Sequence, residues 1–159
     1  MNYFQITKCD FLNGEGIRVV LWVAGCSHHC IGCQNAYTWD EKAGIPFTEE
    51  TKKELFEALS KPYISGITFS GGDPLFPSNR STISNLIKEI KETFPNKNIW
   101  LYTGYSYEEL KTFKEIESVL DDIDIIVDGE FKKDLAKFDY KWAGSTNQRI
   151  LRKEDRKYL

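Results

Sequence analysis

The sequence predicts an α/β fold: a parallel sheet with flanking helices, forming an incomplete, TIM-like (β/α) half-barrel in a single domain over residues 1–159. Three observations predict it. Apolar, β-rich runs alternate with amphipathic helical patterns, the order that yields parallel strands. Four of those runs each lead into a glycine-bearing loop. And 159 residues suffice for one domain but not for a closed eight-stranded barrel, which takes about 250.

The elements follow in chain order. A weak strand is expected at Tyr3–Lys8 and a strong one at Ile17–Val23. Thr48 then opens a helix, with Glu49 and Glu50 in the first turn where the dipole favours acids, and Leu55, Phe56 and Leu59 on its apolar face. The run Ile64–Phe69 reads as the next strand. Ile83, Leu86, Ile87 and Ile90 form one buried face of a second helix. A strand at Ile99–Thr103 precedes Ser106-Tyr107-Glu108-Glu109, a capping-box pattern. Leu110, Phe113, Ile116 and Leu120 would line the helix it opens. Strands at Ile123–Val127 and Gln148–Leu151 close the series. No repeat or low-complexity linker interrupts it.

The four central strands lead into Gly25 and the cysteines, into Ser70-Gly71-Gly72-Asp73-Pro74, into Gly104, and into Asp128-Gly129. Ligands of parallel α/β folds bind at the carboxyl ends of strands, so the unusual residues share one rim.

Lys plus Arg total 21 and Asp plus Glu 24, for a net charge of −3. That balance argues against a nucleic-acid partner, which requires clustered basic residues. The longest apolar run, Val19–Ala24, cannot span a bilayer, which takes about 20 residues. The first residues carry no charged-then-apolar leader pattern. The expectation is a cytoplasmic protein with no membrane partner. The basic residues between Lys141 and Leu159 read as a solvated tail, or as a docking patch for an acidic surface.

Of four cysteines, Cys26, Cys30 and Cys33 lie within eight residues as C-x3-C-x2-C. In a reduced compartment such a group marks a metal or redox site. Thiolates bind soft metals and iron–sulfur clusters. Three of them on a four-iron cluster leave one iron open. The alternative is zinc, with His28 or His29 as fourth ligand and no catalytic chemistry. Cys9 reads as a small buried residue. Gly71 and Gly72 lack a Cβ and admit close backbone approach, with Asp73 either charge-balancing or capping. Asp128 is an acceptor at a strand end, or a turn residue with Gly129. Asn147 and Arg149 could donate to a carboxylate. Gly14-Glu15-Gly16 precedes a strand and lacks the third glycine of a dinucleotide fingerprint.

These residues together resemble the radical S-adenosylmethionine superfamily. Gly14-Glu15-Gly16-Ile17-Arg18 followed by Gly25-Cys26 is similar to the signature of glycyl-radical-enzyme activases. Tyr102-Thr103-Gly104-Tyr105, Val127-Asp128-Gly129 and Gly144-Ser145-Thr146-Asn147-Gln148-Arg149 extend the likeness, over nearly the full length, to the activating proteins of anaerobic (class III) ribonucleoside-triphosphate reductase. The resemblance implies the half-barrel of the radical S-adenosylmethionine type, with a [4Fe–4S] cluster on Cys26, Cys30 and Cys33. It implies S-adenosylmethionine beside Gly32, Cys33, Gln34, Gly71, Gly72, Asp73, Thr103, Asp128, Asn147 and Arg149. Gly32 stands where superfamily members usually carry an aromatic. The implied reaction is borne by the cofactors: reductive cleavage of S-adenosylmethionine, then hydrogen abstraction from a glycine of the large reductase subunit. A low-potential electron donor is required and a homodimer is allowed. A formate-lyase-type partner is the alternative within the same chemistry.

Overall fold

The computed structural model describes residues 1–159. One seven-stranded sheet organises the chain. Its strands are β1 (Asn2–Asp10), β2 (Arg18–Val23), β3 (Ile45–Pro46), β4 (Gly66–Gly71), β5 (Asn98–Tyr102), β6 (Ile125–Asp128) and β7 (Arg149–Arg152). The order across the sheet is β3-β1-β2-β4-β5-β6-β7. The four central strands β2, β4, β5 and β6 run parallel, as expected. Both edges are antiparallel: β1 on β2, β3 on β1, and β7 on β6. The sheet is therefore mixed, a correction to the expectation of a parallel one. β6 reaches β7 through irregular chain and 3₁₀ turns, without the helical crossover that would return the strand parallel.

The alternation of side chains along the strands builds two unlike faces. Val19, Leu21 and Val23 of β2, Ile67 and Phe69 of β4, Ile99 and Leu101 of β5, and Ile126 of β6 point to the larger core. The helices α1 (Glu49–Leu59), α2 (Arg80–Thr93) and α3 (Tyr107–Leu110) cover this face, through Leu55 and Leu59, through Ile83, Leu86, Ile87 and Ile90, and through Leu110. The opposite face carries a small cluster of Trp100, Ile125 and Val127, against which Tyr102, Trp142, Ala143 and Ile150 pack. The helices thus flank one side only.

Local chemistry sets the helix ends. Thr48 accepts from the Thr51 amide at 3.3 Å and its own amide donates to the Thr51 hydroxyl at 3.2 Å, a reciprocal cap. Ser106 and Glu109 cap α3 in the same way. The long third helix expected through Leu120 does not form. α3 ends at Leu110, and the chain continues in turns whose amides bond three residues back, such as Phe113 to Leu110 and Ile116 to Phe113. The Thr112 hydroxyl donates to the Glu109 carbonyl at 2.6 Å, a local bond that competes with continued helix. Leu110, Ile116 and Leu120 are buried nonetheless.

Arg18 is fully buried at the start of β2. It donates to Thr68 Oγ1, Asn98 Oδ1 and the carbonyls of Glu15 and Ile67, and lies over the Trp100 ring. Burial pulls its pKa down to about 10. A Cβ on Gly14 would sit 2.8 Å from this side chain, so the glycine-bearing segment before β2 seats Arg18. The C-terminal stretch is not wholly a solvated tail: Arg156 is buried and donates to the Ile123 carbonyl at 2.6 Å. Cys9, expected to be buried, is exposed near the end of β1, beyond the two residues that β3 covers. No helix is long and apolar enough to cross a membrane.

Candidate functional site

The loop after β2 carries Cys26, Cys30 and Cys33, all free thiols and all partly buried. They line one cavity of about 130 Å³ with Gly71 at the end of β4, Gly72 and Asp73 after it, Thr103 and Gly104 after β5, and Gly129 after β6. The expected convergence of strand-end loops on one rim is realised here.

The loop is held by backbone contacts. The Gly72 amide donates to the Val23 carbonyl at 2.8 Å and the Asp73 amide to the Gly25 carbonyl at 2.7 Å. What the missing side chains of Gly71 and Gly72 admit is this backbone. A Cβ on Gly71, at φ +108°, would lie 2.5 Å from the Val23 nitrogen, and one on Gly72 would lie 2.5 Å from the Gly25 carbonyl oxygen. On the other side, the Gly25 and Cys26 amides donate to the Thr38 and Trp39 carbonyls.

Asp73 joins three of the loops. Its buried carboxylate accepts from the Leu75 amide at 2.8 Å, Thr103 Oγ1 at 2.9 Å and the Gly104 amide at 2.9 Å. His28 Nε2 lies 3.0 Å from Asp73 Oδ2, an ion-pair contact off the line of a hydrogen bond. Its Nδ1 meets Glu130 Oε1 at 2.9 Å. Burial alone would lower the His28 pKa, but the two carboxylates outweigh it and raise the value to about 9. His28 thus links the cysteine loop to the loops after β4 and β6. A Cβ on Gly104 would fall 2.5 Å from this ring, which explains the glycine after β5. His29 stacks on Trp39, with centroids 4.3 Å apart.

The donor chemistry fits an iron–sulfur cluster. Burial raises the Cys26 thiol pKa to about 11, opposed by the His28 and His29 amides, and raises that of Cys30, opposed by the Phe131 amide. The Asn35 amide donates to Cys33 Sγ at 3.4 Å. Thiols bind iron as thiolates, so metal binding here is coupled to proton release. No three His, Cys, Asp or Glu side chains converge on a single ion. A cubane places its three thiolates on different irons and needs no such convergence. The zinc alternative finds no fourth ligand here, because His28 is held between two carboxylates and His29 does not line the cysteine cavity.

The remaining sequence candidates divide. Gln34 and Cys33 line a larger cleft of about 620 Å³ on the sheet face away from the helices, together with Trp22, Ser70 and Tyr102. Asp128 and Arg149 line neither cavity. They bond each other, Asp128 also accepts from the Tyr107 amide at 2.8 Å, and Arg149 reaches Glu108 at 2.8 Å. This network fixes the start of α3. The Asn147 side chain donates to the Glu130 carbonyl at 2.8 Å, and Gly32 sits at φ +76° beside Lys133. Neither lines a cavity. The sequence reading missed Gln148, which lines both cavities and donates to the Gly129 carbonyl at 3.0 Å. It also missed Trp39 and Phe131. Their only sequence signal was being large apolar side chains in otherwise irregular segments.

A three-thiol loop at the carboxyl ends of parallel central strands is a donor set suited to an iron–sulfur cluster. The family model for the 4Fe–4S single cluster domain matches residues 12–151. Among curated proteins, the chain is 49% identical to the anaerobic ribonucleoside-triphosphate reductase-activating protein of Enterobacteria phage T4, over 98% of this chain and 96% of that one. The proteins of the same name from Pasteurella multocida and Escherichia coli K12 are 40% and 41% identical, over 96% and 93% of this chain and 98% and 96% of theirs. The chain belongs to the family of anaerobic ribonucleoside-triphosphate reductase-activating proteins.

Proposed function

We propose that this protein activates an anaerobic ribonucleoside-triphosphate reductase by radical S-adenosylmethionine chemistry. Cys26, Cys30 and Cys33 would hold a [4Fe–4S] cluster whose fourth iron takes S-adenosylmethionine. One observation carries the proposal: three free, partly buried thiols on a single loop share a cavity, while His28 is paired with carboxylates and His29 lies outside it. When bound and reduced, the cofactors would supply one-electron cleavage of S-adenosylmethionine to methionine and a hydrogen-abstracting 5′-deoxyadenosyl radical, the chemistry that activating a glycine of the large reductase subunit requires.

The chain's own residues bind, orient and exclude water. Cys33, which lines both cavities, and Gln34, which lines the larger cleft beside it, would flank the adenosine. The main chain at Gly71 and Gly72 would meet the methionine end, with the Asp73 carboxylate tying this loop to Thr103 and Gly104. Asp128, Arg149, Asn147 and Gly32 position the surrounding loops. The larger cleft would admit the partner's glycine segment, since Phe11, Leu12 and Phe138 on its rim are exposed apolar groups. Covering them dries the site, which protects a reactive radical. The same proposal takes the open sheet as a half-barrel, places the protein in the cytoplasm, and requires a low-potential electron donor.

Cys30→Ala tests the ligand assignment. After anaerobic reconstitution, its bound iron and sulfide should fall to a small fraction of the wild-type content, with the fold retained by circular dichroism. Wild-type iron content in that variant would refute the assignment.

A further inference from the structure

We infer that the indole N–H of Trp39 is a further cofactor contact, donating a hydrogen bond to an anionic acceptor that the loaded cysteine cavity supplies. The inference rests on the cluster and S-adenosylmethionine proposed above. Trp39 lines the cavity with all three cysteines, and its Nε1 is buried without a partner. An indole N–H can only donate. Buried indoles normally find an acceptor, and leaving a donor unmade is costly. Trp22 shows the usual outcome, with Nε1 donating to Thr7 Oγ1 at 2.9 Å.

The other orphaned buried groups do not compete for this role. His28 Nε2 sits 3.0 Å from Asp73, while Asn147 and Arg156 line neither cavity. Trp39 is also fixed in place. Its ring stacks on His29 at 4.3 Å and 8° between planes, and its carbonyl accepts from the Cys26 amide at 3.0 Å. The donor is therefore preorganised at the root of the cluster loop. Two anionic acceptors would enter this cavity: a sulfur of the thiolate-bound cluster, and the carboxylate of S-adenosylmethionine. A bond to either is charge-assisted.

Trp39→Phe keeps a ring against His29 and removes the N–H. Anaerobically reconstituted wild type and variant are compared by potentiometric titration and by S-adenosylmethionine binding. If a cluster sulfur accepts, the reduced and more negative state loses more stabilisation. The midpoint potential then falls, by about 59 mV for a tenfold bias, and binding is kept. If the carboxylate accepts, the dissociation constant rises about tenfold and the potential without S-adenosylmethionine is kept. Either result supports the inference. Unchanged potential and unchanged affinity in a fully loaded variant overturn it. Wild type that assembles no cluster would sink the proposed function itself, a distinct failure. Should the variant not assemble its cluster, pulsed electron paramagnetic resonance of wild type labelled with ¹⁵N-indole tryptophan decides. A nitrogen coupling to the reduced cluster is expected, and its absence with and without S-adenosylmethionine overturns the inference.

Discussion

Asp73 illustrates how a residue's type can be legible while its task is not. An acid after two glycines at a strand end reads equally as a ligand group or as a cap. In the structure its carboxylate is buried and turned inward, to two loop amides, a threonine hydroxyl and the His28 ring. Those partners come from three separate loops, and sequence spacing carries no trace of them. The His28–Glu130 contact spans 102 residues. The cysteines were legible because their ligands are local: one loop supplies all three. Asp73→Ala would leave the Leu75 and Gly104 amides without their acceptor and the His28 ring with Glu130 alone. A loss of about 3 kcal/mol is expected. For a domain of this size that lowers the melting temperature by about 6–12 °C. Differential scanning calorimetry of the metal-free protein checks it; a shift under about 2 °C would mean that the carboxylate is not the joint between the loops.

The central strands were legible as elements because β-branched and aromatic runs have few alternatives in a buried sheet. β2, β4, β5 and β6 fall within two residues of their expected bounds. The direction of β7 was not legible, because strand pattern carries no orientation. The third helix failed for a related reason. The spacing of Leu110, Ile116 and Leu120 reports burial, and a series of tight turns satisfies burial as well as a helix does. α1 is the opposite case, with cap, acidic first turn and apolar face all agreeing. It lies against the core face, away from the cysteine loop. Thr48→Ala should therefore cost about 1 kcal/mol, or about 2–4 °C in melting temperature. The iron content of the reconstituted protein should stay at the wild-type level. Loss of iron in that variant would show that site and helix layer are coupled.

At the scale of the molecule, one sheet serves two faces. The helix-covered face holds the large core and the stability. The other face is an open cleft whose floor includes Trp22, Ser70 and Tyr102 and whose rim is apolar. The cysteine cavity sits where the cleft meets the carboxyl ends of the parallel strands, sharing Cys33, Ser70, Tyr102, Phe131 and Gln148 with it. A site at the end of an open cleft can receive a segment of a second protein, which the proposed activation requires. The proposed function depends on an iron left open by the three cysteines. The most direct measurement is the electron paramagnetic resonance spectrum of anaerobically reconstituted, dithionite-reduced protein, recorded with and without S-adenosylmethionine. A [4Fe–4S]⁺ signal whose g-values shift on adding S-adenosylmethionine is the predicted result. A cluster signal indifferent to it, or bound zinc in place of a cluster, would contradict the account.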